Sequence, residues 1–297
     1  MSFYLDMCKD ARKWLKFHGH IDSGSLDDRD SAIWLYRMMH RVPRAHPRSY
    51  ESSQRITSVI SIDEKKGLVL LKNEVESGES LIPRMSTSLV KIFNDHLLND
   101  WGIHHFHLGT KFENSGFISR TKHVVFAIIT QDKFLLIDIK PHNPAPWSDP
   151  ELLKIIYEVW PEVLQPHYLP GVKSRVDLSK PEHISRLRKA GITTMTSIGG
   201  KVFTLLGGGL VSDGGSVQAL VNHDRMANFT TRLQHEWYAE VRRPASFRLL
   251  DEFHYMIQEK DGRLWTWEDR GLIKPLFREL LLQEEMIVQL HLSRIDG

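Results

Sequence analysis

The chain is 297 residues long, 41% hydrophobic and 26% charged with a formal net charge of +2, a make-up that excludes disorder over the whole length and gives no global positive field for nucleic acid. Its longest apolar runs, such as 124–130 and 134–139, fall short of a membrane span, and the first residues lack the apolar stretch of a secretory signal, so no membrane partner is expected. Cys8 is the single cysteine, which excludes an internal disulfide and a thiolate zinc site and fits a reducing cytoplasm.

A helix is expected over 3–17, a Gly/Ser/Asp loop over 19–30 and a second helix over 30–41. Ala32, Ile33, Leu35, Tyr36 and Met39 give the second helix an apolar stripe before Pro43 and Pro47 end it. From residue 37 to 55 the chain carries Arg37, Arg41, Arg44, Arg48 and Arg55 against one acid, Glu51, with His40, His46, Tyr36 and Tyr50 interleaved. Such a run can track a phosphate backbone, or it can be a solvated loop whose arginines pair elsewhere. Alternation predicts a strand over 55–63, a turn at Lys65-Lys66-Gly67 and a return strand over 68–72. Residues 86–99 read as a helix capped by Ser86 or Ser88.

Three strands follow at 103–108, 122–130 and 134–140. The turn at 131–133 makes the last two antiparallel. Pro141, Pro144 and Pro146 end the sheet, and a helix is expected over 149–160, with Asp149 as cap, Pro150 in the first turn and Pro161 as stop. Beyond Pro166 the pattern gives a short strand at 172–178, a helix at 180–190 and a strand at 202–206 entering a glycine-rich stretch, 207–216. A long helix at 216–241, a hairpin at 254–257 and 263–267, and a closing helix at 272–290 complete the chain. The expected class is α+β: an antiparallel sheet flanked by helices, with a second mixed α/β C-terminal region. Proline punctuation sets the division at 1–168 and 169–297, two regions that could also form one domain.

Sixteen histidines are present, and they concentrate in the sheet. Side chains alternate across a strand, so His105 and His107 share one face while His104, Phe106 and Leu108 share the other. In the third strand Leu136, Asp138, Lys140 and His142 are read as one face, with Leu135, Ile137 and Ile139 as its apolar counterpart. If the strands adjoin, His105, His107, His142, Arg120, Lys122, Lys140 and Asp138 converge. That set suits metal-free phosphodiester cleavage. One histidine takes the proton of a ribose 2′-hydroxyl, another protonates the leaving oxygen, and Arg120, Lys122 and Lys140 steady the phosphoryl charge. The substrate would then be RNA, with Arg37, Arg41, Arg44 and Arg48 extending the track, and no cofactor or metal is required. Two other readings stay open: His105 and His107 as metal ligands with His142 or Asp138 as third, which the adjacent cations oppose, and histidines that only hydrogen-bond within a half-buried sheet.

The segments Ser-Arg-Thr-Lys-His-Val-Val-Phe-Ala and Leu-Ile-Asp-Ile-Lys-Pro-His, carrying Arg120, Lys122, Lys140 and His142, resemble the RelE/ParE-type toxins over about 40 residues. The resemblance implies a small antiparallel sheet acting as a metal-independent ribonuclease of toxin or phage-defence type. This chain is far longer than such toxins, and its Ile-His-His-Phe-His-Leu strand lies outside their pattern. The rival expectation is a non-catalytic binding or regulatory protein, with a protein partner such as an antitoxin or defence subunit.

Other motifs carry less. The glycine-rich stretch matches neither the dinucleotide nor the Walker pattern and reads as a turn. His235-Glu236 lacks a second histidine four residues on, and no Gly-x-Ser-x-Gly elbow occurs. Cys8 reads as structural. Trp265 and Trp267 read as core.

Overall fold

The computed structural model describes residues 2–17, 25–56, 58–91, 94–143, 146–173, 180–193, 195–240, 245–249, 255–259 and 264–265. In chain order the elements are α1 (Phe3–Phe17), α2 (Asp28–Arg41), β1 (Ser49–Ser52), α3 (Ile62–Ser77), α4 (His96–Trp101), β2 (Ile103–His107), β3 (His123–Ile129), β4 (Lys133–Pro141), α5 (Glu151–Val159), α6 (Pro161–Leu164), α7 (Pro181–Lys189), β5 (Thr196–Ile198), β6 (Lys201–Phe203), α8 (Val217–Glu240), β7 (Ala245–Leu249), β8 (Tyr255–Glu259) and β9 (Leu264–Trp265). The class is α+β. Among the described residues no helix is long and apolar enough to cross a membrane. The helix expected at 272–290 and most of the strand expected at 172–178 lie outside the described residues.

Two compact units emerge. The first holds Met1–Arg44, Ser88–Phe93 and Ala219–Gly297, and the second Ala45–Thr87 and Asn94–Gln218. The break expected near 168 falls inside the second unit. There the Leu169 N–H donates to the Val202 carbonyl at 2.9 Å, and Arg188 pairs with Asp100 at 2.7 Å.

In the first unit, Phe3, Met7, Ala11 and Leu15 recur every four residues along α1 and are buried, a stripe close to the helical period. Ala32, Leu35 and Met39 of α2, and Met226, Phe229, Leu233 and Trp237 of α8, are buried in the same way. Strands β7, β8 and β9 form an antiparallel sheet, which includes the expected C-terminal hairpin.

The second unit is built on a four-stranded sheet in the order β1-β4-β3-β2. Strands β2, β3 and β4 are antiparallel neighbours, as alternation and the tight turn require. The sheet is nevertheless mixed, because β1 pairs parallel to β4. No short turn joins those two strands. A parallel pair needs a long connection, and the chain from Ser53 to Asp132 supplies one. Leu71 and Val75 of α3 cover one face with Phe106, Leu108, Val125, Ala127, Leu136 and Ile139. On the other, Leu152, Leu153, Ile155 and Ile156 of α5 pack with Ile103, Val124, Phe126, Ile128, Leu135 and Ile137.

The expected hairpin over 55–72 is replaced by α3. Ser61 and Glu64 form a capping box, each side chain bonding the other's backbone N–H, and this starts the helix. Gly67 is not a turn residue. It sits mid-helix because a Cβ there would stand 1.8 Å from the Leu108 carbonyl oxygen. Gly78, at φ 82°, closes the helix. The helix expected over 86–99 also fails. Among the described residues of that span a 3-10 turn forms at Thr87–Val90, and α4 starts later because the Asp95 carboxylate accepts the Leu98 N–H at 3.1 Å. The strand expected at 202–206 is the second arm of a hairpin, β5–β6, turned by Gly199 and Gly200 at φ 58° and 74°.

Candidate active site

Strand β2 carries Ile103 into the α5-side core and Phe106 and Leu108 into the α3-side core. Alternation therefore places His105 and His107 on the α5 side. His104 stacks on Phe106, with ring centroids 6.0 Å apart, so it belongs to the opposite face. His105 is opposite Phe126 and His107 opposite Val124. Across β3, those residues face Asp138 and Lys140.

Asp138 and Lys140 reach this face by a route that alternation alone does not give. Phe126 pairs with Asp138 but Ala127 pairs with Leu136, leaving Ile137 as an extra residue in β4. Leu135 and Ile137 consequently share the α5-side core, while Leu136 and Ile139 lie in the α3-side core. The expected grouping of Leu136 with Asp138 and Lys140, against Leu135, Ile137 and Ile139, is corrected. One inserted residue reverses side-chain parity for the rest of a strand.

The three histidines come together. The His107 and His142 rings stack, with centroids 5.9 Å apart at 16°, and the His105 ring lies 6.5 Å from that of His107. Trp147, which sequence reasoning missed, completes the cluster. Its ring is 4.7 Å from His105, 5.2 Å from His142 and 5.6 Å from Phe126. His107 is buried, whereas His105, His142 and Trp147 are half-buried. The signal that could have found Trp147 is an aromatic residue placed directly after the histidine and its proline-rich turn.

Burial lowers the His107 imidazole to about 3, and the neighbouring His105, His142 and Arg120 push the same way. His105 is also lowered, by burial and by His142, while Asp95 opposes the shift. The Asp95 carboxylate stands 3.9 Å from His105 Nδ1, too far for a hydrogen bond. Among the described residues, the buried Nδ1 atoms of His105 and His107 have no hydrogen-bond partner.

The expected cations differ in what they are free to do. Arg120 is exposed, with Nη2 donating to Thr87 Oγ1 at 3.1 Å. Lys122 is exposed, and its carbonyl accepts the His142 N–H at 2.7 Å. Lys140 is engaged between Asp138 at 3.2 Å and Asp149 at 3.0 Å. Burial alone would lower its ammonium, but the two carboxylates outweigh this and raise it. Its expected place in a phosphate clamp is therefore taken by fixed protein partners.

The arginine stretch is not an exposed track. Arg37, Arg41 and Arg48 are buried and Arg44 is half-buried. In the first unit Arg37 lies over the Trp34 ring at 4.7 Å, and Arg41 Nη2 donates to the Leu89 carbonyl at 3.2 Å. In the second, Arg48 Nε donates to the Thr130 carbonyl at 3.0 Å. Spacing alone could not separate these interior bonds from a phosphate-facing row.

One further polar pair adjoins the cluster and another lies on the opposite face of the sheet. Arg188 Nε donates to Asp100 at 2.7 Å, and its Nη1 donates to the Trp147 carbonyl. On the α3 face, Glu64 accepts from the His123 N–H at 2.9 Å and approaches His123 Nδ1 at 3.1 Å. Burial would raise the Glu64 carboxyl, but hydrogen bonds from Ser61 and His123 outweigh it and lower it to about 2.

The glycine-rich stretch works as a turn: the Gly207 and Gly209 amides donate to the Asp100 and Asn99 carbonyls at 3.2 and 2.9 Å. Among the described residues, no group of three His, Cys, Asp or Glu side chains is placed to hold one metal ion. No protein-family model, curated protein or solved structure matches the chain.

Proposed function

We propose that this chain cleaves RNA by histidine acid–base chemistry, as the resemblance to RelE/ParE-type toxins implies. The observation that carries the reading is the convergence of His105, His107 and His142, with ring centroids 6.5 and 5.9 Å apart, beside the exposed Arg120 and Lys122. In this reading the half-buried His142 takes the 2′-hydroxyl proton as the oxygen attacks the adjacent phosphorus. The 5′-oxygen leaves and takes a proton from His105, which faces the Asp95 carboxylate at 3.9 Å. His107, held neutral by burial, is the wall on which His142 stacks rather than a proton store. Arg120 and Lys122 balance charge on the phosphoryl oxygens. The products are a 2′,3′-cyclic phosphate and a free 5′-hydroxyl.

Cleavage of RNA in EDTA is the test. The expected result is metal-free cutting with cyclic phosphate ends, and no cutting of the same sequence with 2′-deoxyriboses. Cutting only on addition of a divalent metal contradicts the reading. Binding without cutting favours the regulatory alternative, to which the engaged Lys140 also lends support.

A further inference from the structure

We propose that Trp147 is a stacking platform for one unpaired nucleobase, so that the site takes single-stranded rather than duplex RNA. The inference rests on the ribonuclease reading and adds the substrate class.

Trp147 differs from a core tryptophan. Trp101, Trp160 and Trp237 are buried at 3 to 4% exposure, whereas Trp147 is half-buried. Its ring is supported from the protein side by His105 at 4.7 Å and Phe126 at 5.6 Å. Its main chain is tied down as well, since the Trp147 carbonyl accepts from Arg188 Nη1. Arg188 is itself fixed, with Nε on the Asp100 carboxylate at 2.7 Å and its guanidinium over the Trp101 ring at 4.1 Å. Arg188 and Asp100 are only 4 and 5% exposed. A buried ion pair thus anchors the main chain of a half-buried tryptophan.

What the indole adjoins gives the ligand. His142 stands 5.2 Å from it at 85°, and the exposed Lys122 holds the His142 N–H through its carbonyl at 2.7 Å. The site also carries exposed cations, Lys122 and Arg120, the second close enough for its charge to act on His107, and an aromatic ring and cations in one site are the combination that binds single strands: the base stacks and the backbone meets positive charge. A base stacked on Trp147 brings its own ribose toward His142. A base inside a duplex has both faces occupied, so it must leave the helix to bind this way.

The test compares binding of a short single-stranded oligoribonucleotide and its blunt duplex to the full chain carrying His142→Ala, which blocks turnover under the ribonuclease reading. Tighter binding of the single strand is expected. Adding Trp147→Ala should weaken single-strand binding roughly 5- to 150-fold, the range for loss of one base–aromatic stack, and leave the weak duplex binding unchanged. Adding Trp147→Phe instead should keep most of the affinity and lose the quenching of intrinsic fluorescence caused by RNA, which guards against misfolding of the alanine variant. Equal affinity for duplex and single strand overturns the platform, as does single-strand affinity unchanged in both Trp147 variants. If the unsubstituted chain cleaves RNA while the Trp147 variants bind normally, the platform fails and the ribonuclease reading stands. If Trp147-dependent single-strand binding occurs without cleavage, the ribonuclease reading fails alone. No RNA binding at all contradicts both.

Discussion

Two groups of histidines sit on opposite faces of the same sheet, and they are served very differently. On the α3 face, His123 has its backbone N–H and its Nδ1 against the Glu64 carboxylate at 2.9 and 3.1 Å, and Glu64 also completes the capping box of α3. Its polar groups are spent on holding a helix to a strand. On the α5 face, His105 and His107 keep buried Nδ1 atoms without a hydrogen-bond partner among the described residues, and other rings stand around them. A buried polar atom left unpaired costs about 1–3 kcal/mol, a cost that the Glu64 contact spares His123. The difference separates a histidine used as a structural bond from histidines whose Nδ1 atoms make no such bond.

Breaking the structural side of this contrast should have the largest effect on stability. Glu64→Ala removes the α3 cap and strands the His123 N–H inside the sheet. It is expected to cost about 3 kcal/mol of unfolding free energy, read from urea titration. The cost should be much smaller if Glu64 is an ordinary surface carboxylate.

A smaller effect of opposite sense comes from acid on the other face. His107 is held at about 3 in the folded chain against an ordinary 6.5, so the unfolded chain takes up a proton that the folded chain refuses. Stability from this group is complete above 6.5 and is lost as pH falls from 6.5 toward 3. His107→Gln should remove that loss, so its drop in unfolding free energy from about pH 7 to about pH 5 is smaller by roughly 2 kcal/mol. Glu64 acts in a lower window: its carboxyl sits at about 2 against an ordinary 4.5, so its contribution is lost only as pH falls from 4.5 toward 2. An equal pH dependence in His107→Gln and the unsubstituted chain would mean that His107 is solvated.

Much of this contrast is legible in the sequence. Alternation alone puts His105 and His107 on one face, sends His104 to the other, and pairs β3 with β4 through the turn at 131–133. Helices α1, α2, α7 and α8 follow from their apolar stripes and flanking residues. The Glu64–His123 pair is hidden because Lys65-Lys66-Gly67 imitates a turn. That glycine answers to the Leu108 carbonyl oxygen, 1.8 Å from where its Cβ would be, a contact 41 positions along the chain. The signal that could have corrected it was local: Ser61-Ile-Asp-Glu64 has the spacing of a capping box. The bulge at Ile137 is invisible to a period-two count, although it decides which side chains join the histidines. Arg37, Arg41 and Arg48 look like a surface row because spacing does not report that a ring takes the first and carbonyls the other two inside the fold.

Under the proposed ribonuclease function the α5-face histidines act and the α3-face pair only holds. Cleavage rate per folded molecule, measured on single-stranded RNA in EDTA for His142→Ala and for Glu64→Gln, tests it most directly. His142→Ala is expected to lose about 10²- to 10⁴-fold, the usual worth of a general acid–base group, and Glu64→Gln to cut at the unsubstituted rate. Normal cleavage by His142→Ala, or a comparable loss in folded Glu64→Gln, would contradict it.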